Sequence, residues 1–273
     1  MSSPADSKDR RYDDLYSEFD SPLMRQLRVE AYGRDIGQHS WTTAEELEAG
    51  ISQLNLSAAS RILDLGCGPG GPLCFVVGLV GCHGHGIDRS AEAIAAGRAR
   101  AAALQLDGLI VLHEGDLNRP IPLPSRSFDA VISLDVVLHL RDRAEFFREV
   151  TRMLVPGGRF LFTDAGVVTA SISNEEIARR AFHGYTQFVP AGFNERMLEL
   201  AGLRLLDRTD CTANLVRNAT GRSSARLAHR TELQRIEGRA RFERQQRYLQ
   251  TVIELSRRGA VSRMMFCAEH CAA

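Results

Sequence analysis

The residues most suited to chemistry lie in one run, Leu63-Asp64-Leu65-Gly66-Cys67-Gly68-Pro69-Gly70-Gly71, and in three isolated side chains after it, Asp88, Asp116 and His139. A glycine-rich turn lets backbone approach a bound molecule closely, because no Cβ stands in the way. Gly66, Gly68 and Gly71 satisfy the G-x-G-x-x-G spacing used to cradle dinucleotides, so the turn alone does not identify its ligand. Asp64 is unusual for a dinucleotide-binding strand, which is apolar throughout, and Gly70 extends the run to D-x-G-x-G-x-G. Asp88 stands where a carboxylate can accept two vicinal hydroxyls, and Asp116 follows a further apolar segment. An imidazole such as His139, with an ordinary pKa near 6.5, suits proton transfer near neutrality.

These residues need a scaffold, and the hydrophobic pattern supplies one. From Arg61 onward short apolar segments alternate with helical ones: strands at 61–65, 84–87, 109–112, 128–134 and 159–163, and helices at 72–80, 90–104 and 143–154. Pro156-Gly157-Gly158 stops the last of these helices. Such alternation implies parallel crossovers: an α/β, Rossmann-like, doubly wound sheet. Seven strands are expected, the last near 261–267.

Upstream, residues 13–31 have a helical period, 32–41 form a loop, and Thr42-Thr43 before Glu45-Glu46 marks a helix start. Residues 1–45 are expected to form an N-terminal lid segment and 46–273 the main domain. Insertions are expected at about 166–193 and 212–258. The second is arginine-rich and reads as a long amphipathic helical stretch with a solvated face. It can alternatively cover the substrate cavity, contact a second subunit in a homodimer, or bind an acidic carrier domain.

Bulk properties exclude several classes. Lys+Arg and Asp+Glu are balanced at 34 each, so no global field draws the chain to nucleic acid or to a membrane surface. The polar N-terminus has no signal-peptide core, and the longest apolar run, 74–82, is too short to span a bilayer. Six unpatterned cysteines fit reduced thiols and a cytoplasmic location. Cys267, His270 and Cys271 offer only three terminal ligands, so no metal is expected.

Taken together, the motifs from Arg61 to Phe162 resemble those of class I S-adenosylmethionine (SAM)-dependent methyltransferases, particularly enzymes of small amines and natural products. The resemblance implies a mostly parallel sheet whose last strand is antiparallel, and SAM as cofactor, with Asp88 on the ribose hydroxyls and Asp116 beside the adenine amine. It assigns Asp64, Gly66, Cys67, Gly68, Gly70, Arg89, Leu117 and Leu134 to the same site. In similar enzymes a loop like 32–41 closes over the methionine end, which points to Gln38, Ser40 and Trp41; Trp41 can equally serve to staple the lid to the core. Methylators of base amines carry Asn/Asp-Pro-Pro-aromatic after the fourth strand, whereas this chain has Asp135-Val-Val-Leu138, so nucleobases are not the expected targets. His139 resembles a base in small-molecule O- and N-methyltransferases, and a packing role is the alternative. His183, Tyr185 and Phe188, in the first insertion, are expected to shape the substrate pocket. Carbon methylation, a nicotinamide-dependent oxidoreductase and a non-catalytic relative remain the competing readings.

Overall fold

The computed structural model describes residues 16, 19–181 and 184–271. Strands β1 (Arg61–Leu65), β2 (His83–Asp88), β3 (Ile110–Glu114), β4 (Phe128–Leu134), β5 (Leu154–Val168), β7 (Leu203–Asp210) and β8 (Val261–His270) form one sheet in the order β3-β2-β1-β4-β5-β8-β7. The two-residue β6 (Val189–Pro190) pairs with β5. β8 runs antiparallel to both β5 and β7, and the pairings from β3 to β5 are parallel. This is the expected sheet with its antiparallel final strand.

Because side chains alternate across a strand, β1 feeds two cores. Ile62 packs with Leu47, Leu73, Val76 and Ile94, from α2 (Ala44–Ile51), α3 (Gly71–Val80) and α4 (Ala91–Ala103). Leu63 and Leu65 pack on the opposite face, with Phe146, Phe147 and Val150 of α5 (Arg143–Met153) and Leu198 of α7 (Phe193–Leu200). The strand order reverses between β1 and β4, and an open α/β sheet binds its ligands at such a point.

Above that edge sits a helical cap. α1 (Pro22–Tyr32) starts at Ser21, whose hydroxyl accepts from the Met24 amide, with proline in the first turn. Leu23 and Leu27 of α1 pack with Ala225 of α8 (Thr212–Ala228), Leu233 of α9 (Arg230–Glu237) and Phe242 of α10 (Arg239–Arg257). Trp41 joins the lid loop to the same cap by packing with Leu215, Ala219, Tyr248, Leu249 and Val252.

Three expectations are corrected here. The arginine-rich stretch is three helices, broken at His229 and Gly238, because Gly238 with φ near +79° cannot continue a helix. The first insertion holds α6 (Asn174–Arg180), whose Ser173/Glu176 capping box is a legible sequence signal. β5 continues past Thr163 to Val168, past a bulge in its pairing with β8, to reach β6. Of the expected helix at 13–31, residues 13–15, 17 and 18 lie outside the described residues.

Candidate active site

A cleft of about 570 Å³ runs along the C-terminal ends of β3, β2, β1 and β4 and under the cap. Of the residues expected from sequence, Ser40, Trp41, Asp64, Gly66, Cys67, Gly68, Asp88, Arg89, Asp116, Leu117, Leu134, His139 and Tyr185 all line it. Four do not fit that expectation. Gln38 is 1% exposed, with its side chain spent on the lid loop: Oε1 accepts from the Ile36 amide at 2.9 Å and Nε2 donates to the Arg34 carbonyl at 3.3 Å. Gly70 caps α3 behind the cleft, and Phe188 packs against Leu255, Ala260 and Val261. His183 lies outside the described residues.

Glycine is needed at Gly66. Its φ is +81°, and a Cβ there would lie 2.5 Å from Val136 Cγ2, in the turn that follows β4. Gly71 is equally constrained, since a Cβ would sit 2.1 Å from the Gly37 carbonyl oxygen. The lid loop thus rests directly on the N-terminus of α3.

The acids differ in environment. Asp64 is 2% exposed, and among the described residues its carboxylate has no hydrogen-bond partner. Burial, then the charge of Asp88, pushes its carboxyl up to about 8. Asp88 Oδ2 accepts from the Gly68 amide at 2.9 Å and Oδ1 from the Ser90 amide at 3.0 Å, which holds the carboxylate in place at the end of β2. The Arg89 backbone amide adds a further contact, and the carboxylate lines the cleft. Ser90 itself caps α4 through the Ala93 amide, so Asp88 is not needed as the cap. Asp116 Oδ1 accepts from the amide and side chain of Asn118, which leaves Oδ2 toward the cleft and Arg119.

Beyond β4 the chain turns through Asp135, a non-glycine residue at φ +59°, into the short turn Val137–His139. His139 Nδ1 lies 2.9 Å from the Tyr185 carbonyl. A carbonyl only accepts, so Nδ1 carries the proton and Nε2 is the basic nitrogen of the neutral ring. Burial lowers the His139 pKa, partly offset by that bond. The Gln187 amide donates to the Leu138 carbonyl at 2.7 Å, so the first insertion is stitched to the same turn.

Several cleft residues were not anticipated: Tyr16, His39, Asn118, Asp135, Arg222 and Tyr248. Burial, then Arg222 and Arg28, holds His39 down at about 3, so it is neutral at ordinary pH. Asn118 follows the singled-out Asp116 by two residues and was within reach of the motif. Arg222 and Tyr248 come from cap helices whose inward faces no local pattern marks.

The cleft fits a nucleoside with a charged tail. Buried carboxylates stand at the ends of β1 and β2, and glycine backbone lies where a Cβ would collide.

Comparison with known proteins agrees. Residues 63–162 match a family described as "Methyltransferase domain". Methyltransferase GfsG of Streptomyces halstedii is 29% identical over 164 residues, 58% of this chain and 58% of that protein. The glycine/sarcosine/dimethylglycine N-methyltransferase of Actinopolyspora halophila is 35% identical over 141 residues, 52% of this chain and 24% of that protein. The matches thus span under three fifths of the length of these two curated relatives. Others are named as a ubiquinone-biosynthesis O-methyltransferase and a sterol 24-C-methyltransferase. Among solved structures, phosphoethanolamine N-methyltransferase 2 of Haemonchus contortus, in complex with S-adenosylhomocysteine, superposes with TM-score 0.80 at 17% identity, covering 96% of this chain and 60% of that one. The cyclopropane synthase MmaA2 of Mycobacterium tuberculosis reaches TM-score 0.81 at 17% identity, covering 94% and 98%. At these identities the structural likeness speaks for the fold. The family match, which spans the glycine turn and all three acids, identifies residues 63–162 as a methyltransferase domain, and the chain is similar to class I SAM-dependent methyltransferases.

Proposed function

We propose that the chain transfers a methyl group from SAM to an oxygen or nitrogen atom of a small-molecule acceptor. The observation that carries this reading is the continuity of one cleft, from Asp116 and Asp88 past the glycine turn to His139, Tyr185 and Tyr248. Its size falls within the roughly 300–1,000 Å³ of small-molecule clefts. Asp88 would take the ribose hydroxyls, Asp116 and Leu117 the adenine, and Asp64 would oppose the positive charge of the methionine end.

SAM supplies an electrophilic methyl on a sulfonium. The protein's part is to align an acceptor, exclude water and take a proton. Alignment alone can contribute about 7–11 kcal/mol. Trp41, Tyr185 and Tyr248 line the acceptor end. Nε2 of His139 accepts the proton of a hydroxyl or an ammonium, and that basic nitrogen favours an oxygen or nitrogen nucleophile. Residues 1–45 act as the lid, 46–273 as the methyltransferase domain, and the segments near 166–193 and 212–258 as its substrate-side insertions. The balanced charge supports an enzyme that does not act on nucleic acid, and the free cysteines among the described residues support a cytoplasmic location. Among the described residues no helix is long and apolar enough to cross a membrane.

Thermal shift with SAM, S-adenosylhomocysteine, NAD and NADP tests the cofactor. A ligand of the native state at a hundred times its Kd adds about 2.7 kcal/mol of stability. SAM and S-adenosylhomocysteine are expected to raise Tm, the nicotinamides to leave it, and Asp88→Ala to abolish the response. Stabilisation by NAD instead would sink the assignment.

A further inference from the structure

Arg222, on α8, presents its guanidinium face to Trp41, with Cζ 4.7 Å from the ring centroid. Nη1 is 3.4 Å from Tyr32 Oη, and that hydroxyl donates to the Ser40 carbonyl at 2.9 Å. The arginine is therefore held flat against the lid loop and lines the cleft. A chain with equal numbers of acidic and basic residues pairs many of its arginines, yet among the described residues no carboxylate lies within 4.0 Å of Arg222. Asp135, which also lines the cleft, is already occupied. Its Oδ1 accepts from Arg263 Nε at 2.8 Å and from the Thr163 hydroxyl at 3.0 Å, and its Oδ2 accepts from the Trp41 amide at 2.8 Å. Trp41 and the neutral His39 stand beside Arg222, and among the described residues no carboxylate forms an ion pair with it.

We infer that Arg222 is an anion subsite in the acceptor half of the cleft, which grips a carboxylate or phosphate carried by the methyl acceptor. A guanidinium stacked on an aromatic ring keeps its edge free for a planar, two-pronged grip on such a group. The strand order sets the direction: Asp116 and Asp88 follow β3 and β2, whereas Trp41 and Arg222 lie beyond β4, next to Asp135. The inference rests on the methyl-transfer reading for its meaning. The cofactor's own methionine carboxylate is the other source of the same chemistry, and the test separates the two.

Trp41 is the single tryptophan of the chain, so its fluorescence reports on Arg222 directly. Inorganic phosphate and acetate are titrated into the full chain at constant ionic strength against chloride, with and without saturating S-adenosylhomocysteine. A saturable response is expected in both states. Arg222→Gln should weaken it by about 10-fold or more, as loss of a charge-assisted hydrogen bond does, and leave S-adenosylhomocysteine affinity unchanged. Arg222→Lys, which keeps the charge and loses the flat fork, should bind phosphate with intermediate strength and guards against a folding defect in the glutamine variant. No saturable response, or one that survives in Arg222→Gln, overturns the inference. So does phosphate competing with S-adenosylhomocysteine while Arg222→Gln loses affinity for it, since Arg222 would then hold the cofactor. A chain that binds phosphate through Arg222 yet never binds S-adenosylhomocysteine would keep the subsite and remove the methyl-transfer reading.

Discussion

Arg263 of β8 donates from Nε to Asp135 Oδ1 at 2.8 Å, with the arginine side chain fully buried and Asp135 only 7% exposed. The same guanidinium also pairs with Glu46 of α2 and donates to the Thr42 hydroxyl at 2.7 Å. One buried cation thus ties the last strand, the helix after the lid and the turn that carries His139. It also stabilises Asp135 at a positive φ, a backbone conformation that few non-glycine residues adopt.

Removing that cation would leave two buried carboxylates without their partner. Arg263→Met is therefore expected to cost about 3–5 kcal/mol, a fall in Tm on the order of 10 °C. Arg263→Lys, with fewer donors, should fall between. Calorimetric unfolding measures both, and a methionine variant as stable as the parent would show that the network does not hold the turn.

Gly71 and Gly37 define the contact between lid and turn. A Cβ on Gly71 would meet the Gly37 carbonyl oxygen at 2.1 Å, and backbone cannot yield as a flexible side chain would. Gly71→Ala should push the 33–41 loop outward at a cost of about 1–3 kcal/mol. Cleavage at Arg34 by trypsin should accelerate, and S-adenosylhomocysteine should bind more weakly by isothermal calorimetry. Unchanged binding and proteolysis would mean that the loop is not seated on the turn in solution.

The core of this site was legible because its signals are local. The glycine turn, Asp64, Asp88 and Asp116 are fixed by strand ends that the apolar period reveals, and the antiparallel last strand came with the family resemblance. The cap was not legible in the same way. Arg222 and Tyr248 are 26 residues apart on α8 and α10, and Trp41 lies far upstream; only tertiary packing brings them together. Gln38 misled because a polar residue in a lid loop can bond its own backbone as readily as a ligand. Phe188 misled because an aromatic near a cleft is also a good core residue. Asp135 was quoted only for what it lacked, a following Pro-Pro, while its ion pair with a residue 128 positions away has no signature in sequence.

His139 should act as a base with its acid limb shifted down. Burial holds its pKa below the usual 6.5, so the neutral ring predominates at neutrality and gains a proton at lower pH. With an acceptor in hand, kcat/KM should fall as pH drops through that lowered pKa. His139→Ala should lose roughly 10²–10⁴ in rate near neutrality, and with it the acid limb. A flat, unreduced profile for the variant would leave His139 a packing residue.

Asp64 makes cofactor binding a proton-coupled event. With its carboxyl raised to about 8, Asp64 is largely protonated at pH 7 before a ligand binds, and the α-ammonium of the methionine end would favour the ionised form. Binding of S-adenosylhomocysteine should therefore release a proton below pH 8, and affinity should climb as pH rises toward that value and then level off. Asp88, itself raised by burial, acts on Asp64 through its charge, so the release is assigned to the pair. Asp64→Asn separates the contributions: the rise in affinity with pH should flatten, and binding above pH 8 should weaken. Stability without ligand should respond in the opposite sense. A folded pKa above the unfolded value favours the protonated fold, a contribution fully present below about 3.9 and lost as pH climbs through about 8. Asp64→Asn should thus raise Tm above pH 8 while it weakens binding. Calorimetry in two buffers of different ionisation enthalpy counts the protons, and a count of zero at pH 7 would mean that Asp64 is already ionised before the cofactor arrives.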